Sequence, residues 1–241
     1  MSPRFSLIVP AYNEALLLPR LLDSLEVARA AFGPPEAVEL IVADNGSTDE
    51  TAAIATARGC RVVPVAKRVI AAARNGGAGV ATGEVVAFVD ADSRVHPRTF
   101  VEIDRVLSGG GVVGGATGVR LERWSLGIVC TWMLIVPLVV AMRMDTGVVF
   151  CRREDFVSIG GYDERRLVGE DVAFLLALRR LGRTRGEHLV RVRRAKAIAS
   201  TRKFDEFGDW HYFPLIVEGL RHLLGGKPTE FTDRYWYKPK R

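Results

Sequence analysis

The sequence predicts an α/β protein in which helices flank a mostly parallel central sheet. In the first half of the chain, apolar runs of strand length alternate with amphipathic stretches, as in strands joined by crossover helices. Several of these runs end directly in polar or acidic residues, which is typical of ligand sites at the carboxyl edge of a parallel sheet. The 241 residues are 48% hydrophobic and 26% charged, which excludes disordered and collagen-like proteins.

Each predicted element starts or ends at a recognisable signal. The first strand covers 5–10, and Asn13 is expected to cap a helix that begins at Glu14 and stops before Gly33. Ser47 and Glu50 have capping-box spacing for the next helix, which runs to about residue 58. The remaining strands are predicted over 38–43, 61–65, 85–89 and 112–119, and the remaining helices over 71–82, 97–107 and 126–142.

Three glycines, Gly76, Gly77 and Gly79, dilute the predicted helix over 71–82. They permit either close approach of a phosphate or close packing of the helix against the sheet. The sequence leaves both interpretations open.

Cysteine usage and the N-terminal residues favour a cytoplasmic location. Cys60, Cys130 and Cys151 are scattered, with no paired or metal-ligand spacing, which suits a reducing compartment. The apolar run before Pro10 is too short for a signal peptide. The four histidines have no zinc-type spacing, and the chain has no phosphate-binding lysine loop or dinucleotide fingerprint.

Positive charge is concentrated in the second part of the chain. Residues 1–150 hold 14 Lys and Arg against 15 Asp and Glu, whereas 151–241 hold 20 against 13. The stretch 179–203 contains ten basic residues and a single acid, Glu187. It is interpreted either as a solvated basic face or as a surface for phosphates or anionic lipid. No aromatic residue interleaves it and no nucleic-acid-binding signature accompanies it, so no nucleic-acid partner is expected.

The stretch 126–142 has seventeen residues and no charge, which makes it a marginal candidate for a membrane span. A crossing there would place Asp90 and Asp92 on the opposite side of a bilayer from Glu170 and Asp171. Because these acids are expected to share one site, we predict a buried or interfacial helix instead. Peripheral contact with the inner membrane face stays open.

Acidic residues follow the fourth predicted strand. Asp90 and Asp92, separated by Ala91, would repel each other unless a cation or a hydrogen-bonding ligand lies beside them. Oxygen ligands favour Mg²⁺ or Mn²⁺, which usually bind one or two carboxylates together with substrate phosphates. The loop therefore predicts a divalent-cation site that receives a diphosphate.

Glu170 and Asp171 open the strongly helical run VAFLLALRRLG. Acids in a first helical turn complement the helix dipole, which is their structural interpretation. In the functional interpretation one of them removes a proton from an attacking hydroxyl. Their position in the sequence does not choose between the two.

Taken together, the motifs resemble those of the family 2 glycosyltransferases with the GT-A fold. The runs that carry the resemblance are SLIVPAYNEALLLPRLLDSL, VELIVADNGSTDETAAIA, AARNGGAGVATGEVVAFVDAD and TGVVFCRREDFVSIGGYDERRLVGEDVAFLLALRRLG. They cover about residues 4–185. The resemblance implies one domain over 1–241, with a nucleotide-sugar-binding half over about 1–120 and an acceptor-binding half with a basic tail over about 121–241.

The resemblance also implies roles for individual residues in a nucleotide-diphosphate-sugar transferase. On the donor side, Pro10, Tyr12 and Glu14 would line the nucleoside pocket, and Asp44 would contact the base of the nucleotide. Arg74 and Asn75 would lie near the nucleotide or its phosphates. In the loop formed by Asp90, Ala91 and Asp92, Asp90 would face the ribose and Asp92 would hold Mn²⁺ or Mg²⁺.

On the acceptor side, the resemblance makes Asp171 the preferred general base of the pair Glu170 and Asp171. Gly160 and Gly161 match a loop that closes against the acceptor. Arg202 and Lys203 either contact the diphosphate or form a surface pair at a helix start. Inversion of the anomeric carbon is favoured, because no nucleophile for a double displacement is evident.

Neither the donor sugar nor the acceptor is determined by the sequence. The apolar stretch and the basic stretch allow a lipid-linked or membrane-surface acceptor. Two other functions stay open: a sugar-phosphate nucleotidyltransferase on a similar sheet, and a non-catalytic protein that binds a membrane surface. The first would need a glycine-rich basic loop after the first strand, and Ala11-Tyr12-Asn13-Glu14 supplies neither.

Overall fold

The computed structural model describes residues 2–142, 145–166 and 169–213, with side chains given for all of these except 135–142. The chain divides into two compact units. The first, here called the sheet unit, contains Met1–Leu121 and Val139–Ser200, and the second, the small unit, contains Glu122–Leu138 and Thr201–Arg241. The predicted division into a donor half and an acceptor half stays a prediction.

A seven-stranded sheet forms the centre of the sheet unit. Its strands are β1 (Phe5–Ala11), β2 (Val38–Asp44), β3 (Arg61–Pro64), β4 (Val85–Phe88), β5 (Val112–Leu121), β6 (Val149–Arg152) and β7 (His188–Ala199). The order across the sheet is β3-β2-β1-β4-β6-β5-β7. Only β6 runs antiparallel to its neighbours, so the prediction of a mostly parallel sheet is confirmed.

Eight α-helices accompany the strands in the described part of the chain. They are α1 (Leu18–Phe32), α2 (Thr51–Ala57), α3 (Ile70–Gly79), α4 (Thr99–Ser108), α5 (Leu126–Met142), α6 (Arg153–Ser158), α7 (Glu170–Thr184) and α8 (Arg202–Phe207). A 3-10 turn, Pro35–Ala37, precedes β2. The predicted bounds of α5 and the predicted start of α7 agree with the structure, whereas β6, β7 and α6 were not foreseen as separate elements.

Apolar layers cover both faces of the sheet. On one face Phe5, Leu7 and Val9 join a buried cluster with residues of α1 and α4. On the other face Ile8 and Phe88 join a second cluster that includes α7. All seven residues of β1 are buried for this reason, since a parallel strand covered on both faces has no solvent side.

The start of α1 differs from the prediction. This helix begins at Leu18 rather than Glu14, and no side chain caps it. Asn13 has φ +53° and accepts a hydrogen bond from the Thr48 backbone N–H at 2.8 Å, so its amide ties two loops together instead of capping α1.

The capping box predicted for α2 is also wrong. Ser47 Oγ accepts a bond from the Asn13 N–H at 3.0 Å, while Asp49 Oδ1 accepts the Thr51 N–H at the helix start. The helix begins at Thr51 as a result. The two loops compete successfully for side chains that local sequence assigns to helix caps.

The glycines of α3 serve helix packing. A Cβ on Gly77 would lie 2.5 Å from Cγ2 of Ile8, and one on Gly76 would lie 2.6 Å from Cγ2 of Val65. At Gly79 nothing lies within 4 Å of the added carbon. Of the two interpretations left open, close packing of α3 against the sheet accounts for Gly76 and Gly77.

The small unit holds an ion-pair centre and several exposed apolar side chains. Arg123 Nη2 lies 2.5 Å from Asp205 Oδ1 and 2.7 Å from Asp209 Oδ1. Leu126 and Met133 of α5 are exposed, whereas Ile128 of the same helix is buried. Within residues 2–142, 145–166 and 169–213, no helix combines the length and the apolar character that a bilayer crossing needs.

Candidate functional site

The register of the parallel strands brings the predicted site loops to one edge of the sheet. Ala11 pairs with Asp44, and Ile8 pairs with Phe88, so Asp90 lies beyond the end of β4 beside the end of β1. The Asn45 N–H continues the pairing by donating to Ala11 O at 2.8 Å. The prediction that the three strand-end loops share an edge is confirmed.

Hydrogen bonds tie the loop after β1 to the loop after β2. Besides the bonds made by Asn13, the Glu14 N–H donates to Thr51 Oγ1 at 2.8 Å and the Ala15 N–H donates to Asp49 Oδ2 at 3.1 Å. Burial raises the pKa of Asp49, but hydrogen bonds from the Thr51 hydroxyl and from the Ala15 and Thr51 N–H groups lower it below its ordinary value. The two loops therefore form one rigid wall of the site.

The aromatic and acidic side chains of this wall occupy distinct places. Pro10 is buried in β1, whereas Tyr12 is exposed and carries the Arg68 guanidinium over its ring, 4.6 Å from the centroid. Asp44 ends β2, and its Oδ1 accepts the Ser47 N–H at 3.3 Å. The exposed ring of Tyr12 offers a flat apolar surface, and Asp44 offers a hydrogen-bond acceptor beside it.

Arg74 of α3 joins the loop after β4 to the start of α7. Its Nη2 lies 3.0 Å from Asp90 Oδ1, and its Nη1 lies 3.0 Å from Glu170 Oε1 and 2.9 Å from Asp171 Oδ1. Arg74 is 3% exposed, whereas the side chain of Asp90 is 49% exposed. Asp90 and the acidic pair therefore share one site, as expected, and the buried Arg74 side chain connects them.

Tyr162 contacts both Asp171 and Arg74 of the same cluster. Its hydroxyl donates to Asp171 Oδ1 at 3.1 Å, and its ring lies under the Arg74 guanidinium at 5.1 Å. The ring also stacks on Phe174 of α7, with centroids 4.2 Å apart. Tyr162 was not among the residues predicted from the sequence, although it lies between a glycine pair and an acid.

Asn75 fixes the backbone on which Tyr162 sits. Its side-chain amide donates to Tyr162 O at 2.9 Å and to Glu164 Oε1 at 3.0 Å, and its Oδ1 accepts the Tyr162 N–H at 2.9 Å. Gly161 has φ +69°, and a Cβ there would lie 2.7 Å from Asn75 Oδ1. Asn75 therefore positions the Gly160–Gly161 loop, a role that the sequence did not indicate.

Burial and unlike charges set the electrostatics of the cluster. Burial raises the pKa of Asp171 to about 6, the Arg74 guanidinium opposes this rise, and the neighbouring Asp90 and Glu170 add to it. Burial lowers the pKa of Arg74, but the surrounding carboxylates raise it above its ordinary value. Burial, followed by the Asp171 charge, also holds the pKa of Tyr162 well above its ordinary value, so the phenol stays protonated.

Asp92 and Asp90 are the oxygen ligands available to a divalent cation in the loop after β4. Asp90 is engaged by Arg74, and Asp92 is partly buried. In the described part of the chain no three His, Cys, Asp or Glu side chains converge on a common point where a metal could bind. A hard dication would fit at Asp92 provided that donor phosphates and water complete its coordination, which is the usual arrangement for Mg²⁺.

The other predicted residues lie at defined places as well. Ala91 is buried between the two aspartates, and Glu14 is partly buried in the loop after β1. Arg202 and Lys203 open α8 in the small unit, so their diphosphate contacts stay a prediction. The cytoplasmic location stays a prediction too.

Residues 6–120 match the family described as Glycosyl transferase family 2. Validoxylamine A glucosyltransferase from Streptomyces hygroscopicus subsp. jinggangensis (strain 5008) is 35% identical over 103 residues, covering 40% of this chain and 24% of that protein. PGL/p-HBAD biosynthesis glycosyltransferase from Mycobacterium bovis (strain BCG / Pasteur 1173P2) is 37% identical over 101 residues, covering 39% and 38%. The matches thus span less than half the length of these curated relatives.

Solved structures resemble the chain over most of its length. TarS 1–349 from S. aureus superimposes with a TM-score of 0.65 at 17% identity, covering 98% of this chain and 70% of that one. Glucosyl-3-phosphoglycerate synthase from Mycobacterium tuberculosis, crystallised with Mn²⁺, UDP and phosphoglyceric acid, gives 0.64 at 23% identity, covering 93% and 80%. The predicted GT-A type of fold is confirmed, and so is the motif-based resemblance.

Proposed function

We propose, because residues 6–120 match the family described as Glycosyl transferase family 2, that the chain transfers a sugar from a nucleotide-diphosphate donor to an acceptor hydroxyl. The observation that carries the proposal is the cluster in which Arg74 contacts Asp90, Glu170 and Asp171 at the carboxyl edge of the sheet. Asp90, on the proposed donor side, and the acidic pair, on the proposed acceptor side, are thereby held by one guanidinium group.

Asp171 is the proposed general base. A base is most effective when its pKa lies near the working pH, and the pKa of about 6 satisfies this condition. The Tyr162 hydroxyl and Arg74 Nη1 both contact Oδ1, which leaves Oδ2 to accept the proton of an attacking hydroxyl. Glu170 is proposed to pair with the Arg74 guanidinium and to orient that guanidinium toward Asp171.

The donor is proposed to lie along the wall formed by the loops after β1 and β2. Pro10, Tyr12 and Glu14 would line the nucleoside pocket, and Asp44 would contact the nucleobase. Asp90 would face the ribose with the carboxylate oxygen that Arg74 leaves exposed. Support for a nucleotide sugar comes from the fold neighbours crystallised with UDP or UDP-GlcNAc.

Asp92 is the residue proposed to hold Mn²⁺ or Mg²⁺. When bound, a dication would neutralise negative charge on the departing nucleotide diphosphate. The Mn²⁺ in the structure of the fold neighbour glucosyl-3-phosphoglycerate synthase supports this proposal. With Asp171 as the base for the acceptor hydroxyl, a single displacement would invert the anomeric carbon.

Nucleotide release from a panel of UDP-, GDP- and dTDP-sugars, with and without Mn²⁺, tests the proposal. We expect Asp92→Ala to weaken Mn²⁺-dependent donor binding, because it removes the carboxylate proposed to hold the metal. Asp171→Asn should keep donor binding while slowing transfer by about 10²–10⁴-fold, the usual contribution of a general base.

Asp23→Asn is the matched control, since Asp23 is an exposed carboxylate of α1 paired with Arg58. Its donor binding and turnover should match those of the unaltered chain. The proposal fails when calorimetry detects no Mn²⁺-dependent binding of any nucleotide sugar, or when the Asp92→Ala, Asp171→Asn double variant transfers sugar at the normal rate.

A further inference from the structure

The edge strand β7 departs from regular pairing in the middle of its length. Thr117 of β5 pairs with Val192, but Val119 pairs with Ala197, so two steps along β5 correspond to five along β7. Residues 193–196 therefore bulge out opposite Gly118 alone. A bulge of this size redirects side chains that a regular strand would hold in its ladder, and bulges are over-represented beside active sites.

The bulge carries three exposed cations. Arg193, Arg194 and Lys196 are all exposed, whereas Ala195 between them is fully buried and anchors the bulge. None of the ion pairs among the described residues includes any of the three. They are thus available to an external anion, unlike Arg152 and Arg185, which bind Asp155.

Among the described residues, one acid lies close to this group. Asp145, 4% exposed, is paired with Arg191 of β7. Burial raises the pKa of Asp145, while Arg191, Lys196 and Arg193 lower it, so the bulge cations are near enough to act on this carboxylate. Four cations against one acid leave a net charge of +3 at the bulge.

The bulge lies at the same sheet edge as Asp90. One row of paired residues crosses the sheet through Phe88 of β4, Val149 of β6, Ala116 of β5 and Arg191 of β7. Because β4, β5 and β7 share one direction, both Asp90 and Arg193 lie two residues beyond this row, toward the carboxyl edge. Three strand spacings of about 4.8 Å separate them by about 14 Å.

We propose that the bulge formed by Arg193, Arg194 and Lys196 is a binding site for a phosphate-type anion on the acceptor. The proposal rests on the proposed sugar transfer and assigns a substrate class to it. An acceptor hydroxyl at Asp171 and a phosphate at the bulge would belong to one molecule that lies along the edge. Guanidinium groups bind phosphate oxygens with paired, charge-assisted hydrogen bonds, which suits arginines at such a site.

Two sources can supply the anion: a soluble phosphorylated acceptor or the headgroup of an anionic lipid. The test therefore measures binding of glycerol 1-phosphate by calorimetry and binding to vesicles by co-sedimentation. The vesicles consist of equal parts phosphatidylglycerol and phosphatidylcholine, with pure phosphatidylcholine vesicles as the neutral control. Binding in either arm supports the site and identifies the source, and binding in neither arm overturns it.

The Arg193→Ala, Lys196→Ala double variant removes two charges from the bulge, and the matched control Arg180→Ala, Arg183→Ala removes two from α7. Arg180 and Arg183 are exposed and lie outside the bulge. We expect the bulge variant to bind the anion at least about tenfold more weakly, because each lost charged hydrogen bond is worth roughly that factor. The control should stay within about twofold. Equal weakening of both variants would mean diffuse electrostatic attraction and would overturn the site.

Donor hydrolysis separates this inference from the proposed function. The bulge variant should release nucleotide from the donor, without acceptor, as fast as the unaltered chain does, because the bulge is remote from the donor wall. A chain that binds the anion but no nucleotide sugar would refute the proposed transfer and leave the anion site standing. A chain that hydrolyses the donor but binds neither anion probe would refute only the site.

Discussion

Arg74 decides the charge state of the residues around it. Without this guanidinium, Asp90, Glu170 and Asp171 would be three carboxylates in a partly dry cluster, and mutual repulsion would protonate or separate them. With it, Asp171 keeps a pKa of about 6 and stays mainly ionised at neutral pH. A single buried residue of α3 thus couples Asp90 to Glu170 and Asp171.

Tyr162→Phe tests what sets the pKa of Asp171, the proposed base. The phenol donates to Asp171 Oδ1 and thereby stabilises the ionised carboxylate, which opposes the rise that burial causes in the Asp171 pKa. Its removal should raise this pKa further and move the acid limb of the pH–rate profile upward by about 1 pH unit, the value of one hydrogen bond. The ring contacts are kept, so donor binding at pH 8 should be unchanged.

Tyr212→Phe removes a hydroxyl from the small unit and serves as the comparison. Its acid limb should coincide with that of the unaltered chain. An unshifted limb in Tyr162→Phe, measured as kcat against pH with a saturating donor, would show that the hydrogen bond does not control the base.

At the scale of elements, the close fit of α3 against β1 places Arg74. The helix approaches the sheet because Gly77 has no Cβ beside Ile8, and Arg74, one turn earlier, is thereby buried at the carboxyl edge. Glycine lowers helix propensity by about 1 kcal/mol relative to alanine, so its presence here reflects packing rather than helix formation.

Gly77→Ala and Gly79→Ala form a matched pair that tests this packing. Alanine at 77 would bring Cβ to 2.5 Å from Ile8 Cγ2, so we expect a loss of about 1–3 kcal/mol in the free energy of unfolding. Alanine at 79 meets nothing within 4 Å and should stabilise the helix by up to about 1 kcal/mol. Urea unfolding of both variants measures the difference, and equal effects of the two substitutions would contradict the packing argument.

Two loops illustrate how neighbouring elements override local signals. Asn13 and Ser47 each have a sequence context typical of a helix cap, yet their side chains bind each other's loops. The predicted helix starts were wrong for this reason, whereas the strand ends, fixed by buried apolar runs, were placed to within one or two residues.

At the scale of the whole molecule, the raised pKa of Asp171 links the site to stability. The folded chain binds a proton on Asp171 more tightly than the unfolded chain does, so folding is less favourable once that proton is lost. This contribution is fully present below about pH 4 and is lost as the pH rises through about 6. The ionised Asp171 carboxylate therefore lowers the free energy of unfolding at neutral pH, a loss of stability that is common at functional sites.

Asp171→Asn should remove this pH dependence. Between pH 4 and pH 7.5, its unfolding free energy should rise relative to that of the unaltered chain by about 2–3 kcal/mol, since it has no proton to lose. Urea unfolding at both pH values measures this difference between the two proteins, with Asp23→Asn as the control. A difference that is independent of pH would mean that Asp171 ionises as freely in the folded chain as in the unfolded one.

The sequence by itself determined the alternation of strands and helices, the parallel sheet and the acids at strand ends, because apolar periodicity and strand-end polarity are local properties. Glu170 and Asp171 were singled out as acids in a first helical turn, and their closeness to Asp90 was expected from the family resemblance. Only the tertiary structure decided that Arg74 joins these acids, that Asn75 holds the Tyr162 loop, and that β7 bulges at three basic residues. These outcomes depend on contacts between residues far apart in the chain, where burial and pairing of charge, rather than local preference, set the energy.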